Sequence, residues 1–160
     1  MSLLIAKEYL KKYGKEDKVI TFSVSTATVA LAAEALGVQE GQIAKTLAFK
    51  ANTMAMVIIT AGDVKIDNVK FKNEFGFKAK MLSPEEILYF TNHEIGGVCP
   101  FGINAKTAIY LDSSLLSHEI VYPACGDAAS AVKLTPQEMS QIVAYRKWID
   151  VCKQKEIINE

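Results

Sequence analysis

A lysine set inside an apolar segment is the strongest constraint on how this chain can fold. Ile43-Ala44-Lys45-Thr46-Leu47-Ala48-Phe49 has the composition of a buried or half-buried stretch, and Lys45 is its one charge. A buried ammonium must find a partner or lose its proton. The fold must therefore take this segment toward the core and still bring the head of Lys45 to a partner, a ligand or water. The ordinary outcome for such a lysine is a stem laid over apolar surface with its head in solvent. The flanking Ile-Ala and Thr-Leu pairs place this one at the rim of the core, where it could fix a phosphate or polarise an ester carbonyl. About fifty residues on, Gly96-Gly97-Val98-Cys99-Pro100-Phe101-Gly102 forms a glycine-rich loop. A structural turn is the default for such a loop. Here Pro100 stiffens the turn and Gly97 would let a ligand approach the backbone. Uncovered amides beside a cation suit an anionic or carbonyl-bearing ligand.

The 160 residues are read as one domain, 1–160, long enough for a full core. Eighteen basic and eighteen acidic side chains cancel, so any nucleic-acid contact must come from a local patch. Three cysteines without CxxC spacing and two histidines support neither a disulfide framework nor a zinc site. No metal or cofactor is implied, and a reducing cytoplasm fits. The N-terminus turns charged at Lys7 and Glu8, too early for a signal-peptide core. The longest apolar run, Met54 to Ala61, is far short of a membrane span. The expectation is a soluble cytoplasmic protein with no membrane partner.

Periodicity and capping signals predict helices over Ser2–Tyr13, Thr26–Leu36 (with Ser25 as N-cap, packed deep in the domain) and Asp67–Phe75 (with Val69 and Phe75 facing inward). Ser83-Pro84-Glu85-Glu86 and Thr135-Pro136-Gln137-Glu138 are capping boxes. They start helices over Ser83–Phe90 and Thr135–Tyr145, the second extendable toward Cys152. A short helix is expected at Ser113–Ser117. Strands are expected at Val19–Val24, Leu47–Phe49, Met54–Thr60, Phe77–Met81, Thr107–Leu111, Glu119–Pro123 and Ala131–Leu134. Helices and strands mix without strict alternation, which predicts an α/β domain with a central mixed sheet flanked by helices.

Cys99 invites a reading as a nucleophile, but no histidine stands at a diagnostic position, so a small buried thiol is the simpler account. His93 and His118 lie in polar stretches and read as surface residues. The small side chains from Ala124 to Ser130 could line a tight pocket or form a close-packed turn, with Cys125 structural. From Lys65 to Lys80, five lysines face Asp67 and Glu74, a net of about +3. Such a run is usually a solvated face. Beside a pocket, Lys70, Lys72 and Lys78 could instead attract an RNA backbone.

Taken in order, Ser25 to Val38, Ile43-Ala44-Lys45-Thr46-Leu47, Gly96 to Gly102, the turn ending at Gly126 and Leu134-Thr135-Pro136 resemble the YbaK/ProX family of aminoacyl-tRNA editing domains, over about residues 19 to 145. The resemblance implies a mixed-sheet α/β fold and hydrolysis of the ester joining a wrong amino acid to tRNA by a free-standing protein. Misacylated tRNA is the implied substrate and prolyl-tRNA synthetase the implied partner. It assigns Lys45 and Gly97 to catalysis, and Thr26, Thr46, Val98, Cys99, Pro100, Ala124, Cys125 and Gly126 to substrate binding. Ala124 and Ala131 stand where some members carry a serine and an acid.

The chemistry is consistent with that assignment. A synthetase pocket discriminates a missing methylene by only about 1–3 kcal/mol, so a second, hydrolytic pocket is useful. An aminoacyl ester is already activated and needs orientation and oxyanion stabilisation more than a strong nucleophile. Two other classes stay open on the residues alone: a non-catalytic module that binds tRNA or a synthetase, and a protein that binds a small phosphorylated metabolite.

Overall fold

A computed structural model describes residues 2–155. Its centre is the hairpin of β2 (Ile43–Ala51) and β3 (Met54–Ala61), joined through Asn52, whose φ of 59° a short polar side chain tolerates. In chain order the other elements before it are α1 (Ser2–Lys11), β1 (Val19–Thr21) and α2 (Val29–Leu36). After it come β4 (Val64–Ile66), α3 (Asn68–Phe75), α4 (Pro84–Thr91), β5 (Ala108–Asp112), β6 (Tyr122–Pro123), β7 (Ser130–Val132), α5 (Pro136–Ile142), β8 (Trp148–Ile149) and β9 (Cys152–Gln154). The main sheet runs β6-β2-β3-β5-β8, antiparallel at the hairpin and parallel at its other three pairings. The pairs β1–β7 and β4–β9 flank it. This is the mixed-sheet α/β domain that the sequence predicts.

Alternation along β3 divides the core. Ala55, Val57 and Ile59 join one cluster with Leu111, Val121, Leu134 and Met139, while Met56 and Ile58 join the other with Phe49, Phe71 and Val151. A central strand buried on both faces reads as continuous apolar sequence, as Met54–Ala61 does. Buried Asp112 closes β5 by accepting from the backbone N–H groups of Ser114 and Val151, so its charge is met by two dipoles.

Several expectations need correction. The N-cap of α2 is Thr28, whose hydroxyl accepts from the Leu31 amide, while Ser25 accepts from Ala27 in a local turn. That helix is not deep: Ala32 and Ala33 are its buried residues and Leu31 is exposed. In α3 the inward residue is Phe71, against Phe49 and Phe75 with ring centroids 5.2 and 4.8 Å apart, whereas Val69 is 69 % exposed. Phe77–Met81 forms no strand, only a bridge between Met81 and Phe49. β1 stops at Thr21. The last helix ends at Ile142, and the chain beyond it supplies β8 and β9 rather than more helix. Strands β4, β8 and β9 carry two or three residues each and were not foreseen.

Candidate functional site

The outer edge of β2 is incompletely paired. β6 pairs with it at Ile43 and Ala44, and farther on Ala48 accepts from the Leu82 amide while Lys50 donates to the Lys80 carbonyl. Between these, at Lys45–Leu47, no strand is paired with that edge among the described residues. A cavity of about 340 Å³ opens at this break, lined by the Ile43–Ala48 stretch, Thr26–Val29, Met81 and Leu82, Gly96 and Val98, and Ala124 and Ser130. Main-chain donors and acceptors at a strand edge offer polar contacts without side-chain entropy. The rest of the lining is largely apolar but includes threonine and serine hydroxyls, and Lys45 is its one ionisable residue among those described.

Lys45 is half-buried and donates from Nζ to the Val64 carbonyl at the start of β4. Burial, aided by the charge of Lys155, holds its pKa below the ordinary lysine value, while Cys152 and Asp63 oppose the shift. The core-rim placement read from the flanking residues is where the side chain lies. Its partner is a backbone carbonyl from a strand the sequence did not reveal.

The glycine loop meets the cavity through Gly96 and Val98, not through Gly97. The Gly97 amide is already donated to the Glu94 carbonyl at 3.0 Å. A Cβ on Gly97 would lie 2.5 Å from the backbone of Gly126 and Asp127, so its small size serves loop-on-turn packing. Gly126, with φ +96°, packs likewise against the backbone of Ser2 and Leu3. Gly97 and Gly126 border a second hollow, which shares Ile95 with the cavity. The picture of a bare amide strip gives way to a rigid loop whose two flanking positions face the ligand space.

Cys99, Pro100 and Cys125 are buried and do not line the cavity. His93, expected at the surface, is 0 % exposed, with Nε2 3.4 Å from Cys99 Sγ. The same Nε2 lies 2.6 Å from the Phe101 carbonyl, an acceptor only, so Nε2 carries the proton and cannot take one from the thiol. Burial pushes the Cys99 thiol well up and the His93 imidazole down. The pair is structural. Burial also pushes Cys125 up to about 12.

Of the three lysines proposed to meet RNA, Lys70 is engaged with Asp150 at 3.1 Å and with the Cys152 carbonyl at 2.9 Å. Lys72 and Lys78 are exposed around a shallow hollow with Asn68 and Val69. Lys78 leads along the chain to Met81 and Leu82 at the cavity wall.

Thr26, Thr46 and Ala124 line the cavity. Ala27 and Thr28 lie in the Ser25–Val38 stretch but were given no role, and Met81, Leu82 and Ile95 belong to no motif, so only the fold gathers them. Ser130 ends the small-residue turn that begins at Ala124. Thr26, Thr46 and Ser130 share a property: their side-chain oxygens are buried without a hydrogen-bond partner.

A mixed sheet with a small hollow at a break in strand pairing, and a lysine at the rim, makes an α/β domain with a candidate ligand site. Residues 24–142 match the aminoacyl-tRNA editing domain family, and the chain belongs to that family, of the YbaK/ProX type. The uncharacterized protein YwhH of Bacillus subtilis (strain 168) is 48 % identical over 157 residues, spanning 98 % of this chain and 100 % of that protein. The proline–tRNA ligase of Bacillus cytotoxicus is 30 % identical over 92 residues, 57 % of this chain but 16 % of the ligase. A crystal structure described as that of a candidate trans-editing enzyme for prolyl tRNA synthetase is 30 % identical, covering 95 % of this chain and 97 % of its own, with a TM-score of 0.85. No helix among the described residues is long and apolar enough to cross a membrane.

Proposed function

We propose that this protein is an aminoacyl-tRNA deacylase acting in trans, which removes a small non-cognate amino acid such as alanine, cysteine or serine from tRNA. The carrier is tRNA for proline and the synthetase partner is the prolyl enzyme, a reading supported by the ligase and trans-editing similarities. The observation that carries it is the convergence of Lys45, the unpaired edge of β2 and the Gly96 and Val98 positions on one cavity within an editing-domain fold.

In this reading water adds to the ester carbonyl carbon, the bond from that carbon to the ribose oxygen breaks, and the ribose oxygen takes the proton. No histidine, thiol or carboxylate lines the cavity among the described residues, so rate comes from orientation, exclusion of bulk water and main-chain donors at the developing oxyanion. Lys45, held at the rim by its bond to the Val64 carbonyl, supplies positive charge that holds the acceptor end.

A panel of misacylated tRNAs tests this. Lys45→Ala, with its fold intact by circular dichroism, loses roughly ten- to a hundredfold in deacylation, the scale of one charge-assisted hydrogen bond. Undiminished hydrolysis by that variant would remove Lys45 from the site. The lack of an acid–base pair in the cavity also favours a second reading, a binding module without turnover. Salt-sensitive tRNA binding with no ester cleavage on any member of the panel would select it.

A further inference from the structure

Buried hydroxyls away from the cavity are satisfied: Thr60 donates to the Ala61 carbonyl, Thr91 to Ile87, Thr107 to Phe90, and Ser114 accepts from the Ala61 amide. Among the described residues, the three buried side-chain oxygens without a partner are those of Thr26, Thr46 and Ser130, and all three residues line the one cavity. Thr26 is 6 % and Ser130 1 % exposed, so open solvent does not serve them. They arrive from three separate elements: the turn before α2, the unpaired edge of β2 and the start of β7. Thr26 is further fixed by its amide, which donates to the Ala128 carbonyl at 2.6 Å. Leaving a buried hydroxyl unmet is costly, and three in one small hollow point to a ligand that meets them.

The group that meets three hydroxyls most fully is small, neutral and able both to donate and to accept. A second cation is disfavoured beside Lys45. A carboxylate at the three hydroxyls would face no cation, because Lys45 alternates along β2 with Thr46 and so projects to the opposite face of the strand, where its Nζ donates to the Val64 carbonyl. A hydroxyl fits all three requirements, whereas a methyl group would leave the hydroxyls unmet and a thiol bonds to them weakly.

We propose that Thr26, Thr46 and Ser130 form a selectivity pocket that favours an aminoacyl group with a short hydroxyl-bearing side chain, seryl before all, over alanyl of nearly the same size. The proposal rests on the deacylase reading, and two readouts separate their failures. One is the ratio of seryl to alanyl ester cleavage on a single tRNA. The other, independent of turnover, is calorimetric binding of 3′-seryl and 3′-alanyl amide analogues of adenosine, with the aspartyl analogue as a charged control.

Wild-type protein favours seryl by about tenfold or more in both, since a site built to bond a hydroxyl rejects the analogue lacking it. Thr26→Val, Thr46→Val and Ser130→Ala each bring the seryl-to-alanyl ratio toward one, and they melt no earlier than wild type because an unmet buried hydroxyl is removed. Selective seryl binding without cleavage of any ester would sustain the pocket and overturn the deacylase. Equal binding of the seryl and alanyl analogues, preference for the aspartyl one, or variants that lower both rates in proportion would overturn the pocket.

Discussion

Cys99 and His93 stand 3.4 Å apart, a distance at which a thiol and an imidazole can exchange a proton. Both are fully buried, however, and the imidazole N–H is committed to Phe101. Their work is to tie the 92–101 loop to α1, since His93 Nδ1 is 3.1 Å from the Ser2 hydroxyl. Cys99→Ala should therefore keep most of its deacylation, while a well-folded but inactive variant would restore the thiol as a nucleophile. The imidazole carries a pH consequence. Its folded pKa lies below the unfolded value of about 6.5, because burial disfavours the charged form. The unfolded chain then binds more protons between the two values, so this contribution is complete above about pH 6.5 and is lost as pH falls toward the folded pKa. Urea midpoints measured from pH 7.5 to 5 should drop on acidification, and His93→Gln should flatten that drop. An equal slope in both proteins would assign it to other groups. Sequence analysis missed the pair because the burial of a lone histidine depends on what folds over it, and nothing local announces that.

Elements were legible where their signals are local. Ser83 and Thr135 each accept from the N3 amide while Glu86 and Glu138 return the bond, as the two capping boxes predict. The strands that escaped notice, β4, β8 and β9, are short, and their pairing partners are distant in sequence. Val69 was misassigned for a related reason: α3 is short and lysine-rich, and the aromatic cluster around Phe71 decided which side faces in. The glycine loop is plain in the sequence, but what approaches Gly97 closely is the 126–127 backbone. That gives a sharp expectation. Gly97→Ala places a methyl carbon 2.5 Å from main-chain atoms and should cost about 1–3 kcal/mol in urea unfolding, with loss of deacylation as Gly96 and Val98 shift away from Ala124. An unchanged midpoint would show that the two loops part freely and that Gly97 is dispensable for packing.

For the molecule as a whole, charge rather than shape decides how a tRNA would approach. The chain is neutral overall, so attraction must be regional, and the Lys65–Lys80 stretch is one region with a cationic excess. Its lysines are not equivalent. Lys70 is tied to Asp150 and Cys152 and bridges α3 to the chain around β9, while Lys72 and Lys78 are exposed. Reversing Lys72 and Lys78 together should weaken tRNA binding at low salt, leave the melting temperature in place and make affinity less steep in salt, because fewer counterions are released when fewer phosphates are met. Reversing Lys70 should instead lower the melting temperature, through the loss of its two partners. The two outcomes separate a binding surface from a structural cation in a single pair of salt titrations and melts. If the Lys72 and Lys78 reversal leaves both affinity and salt slope untouched, the acceptor end reaches the β2 cavity across another face, and the lysine-rich helix is the solvated surface that its composition ordinarily denotes.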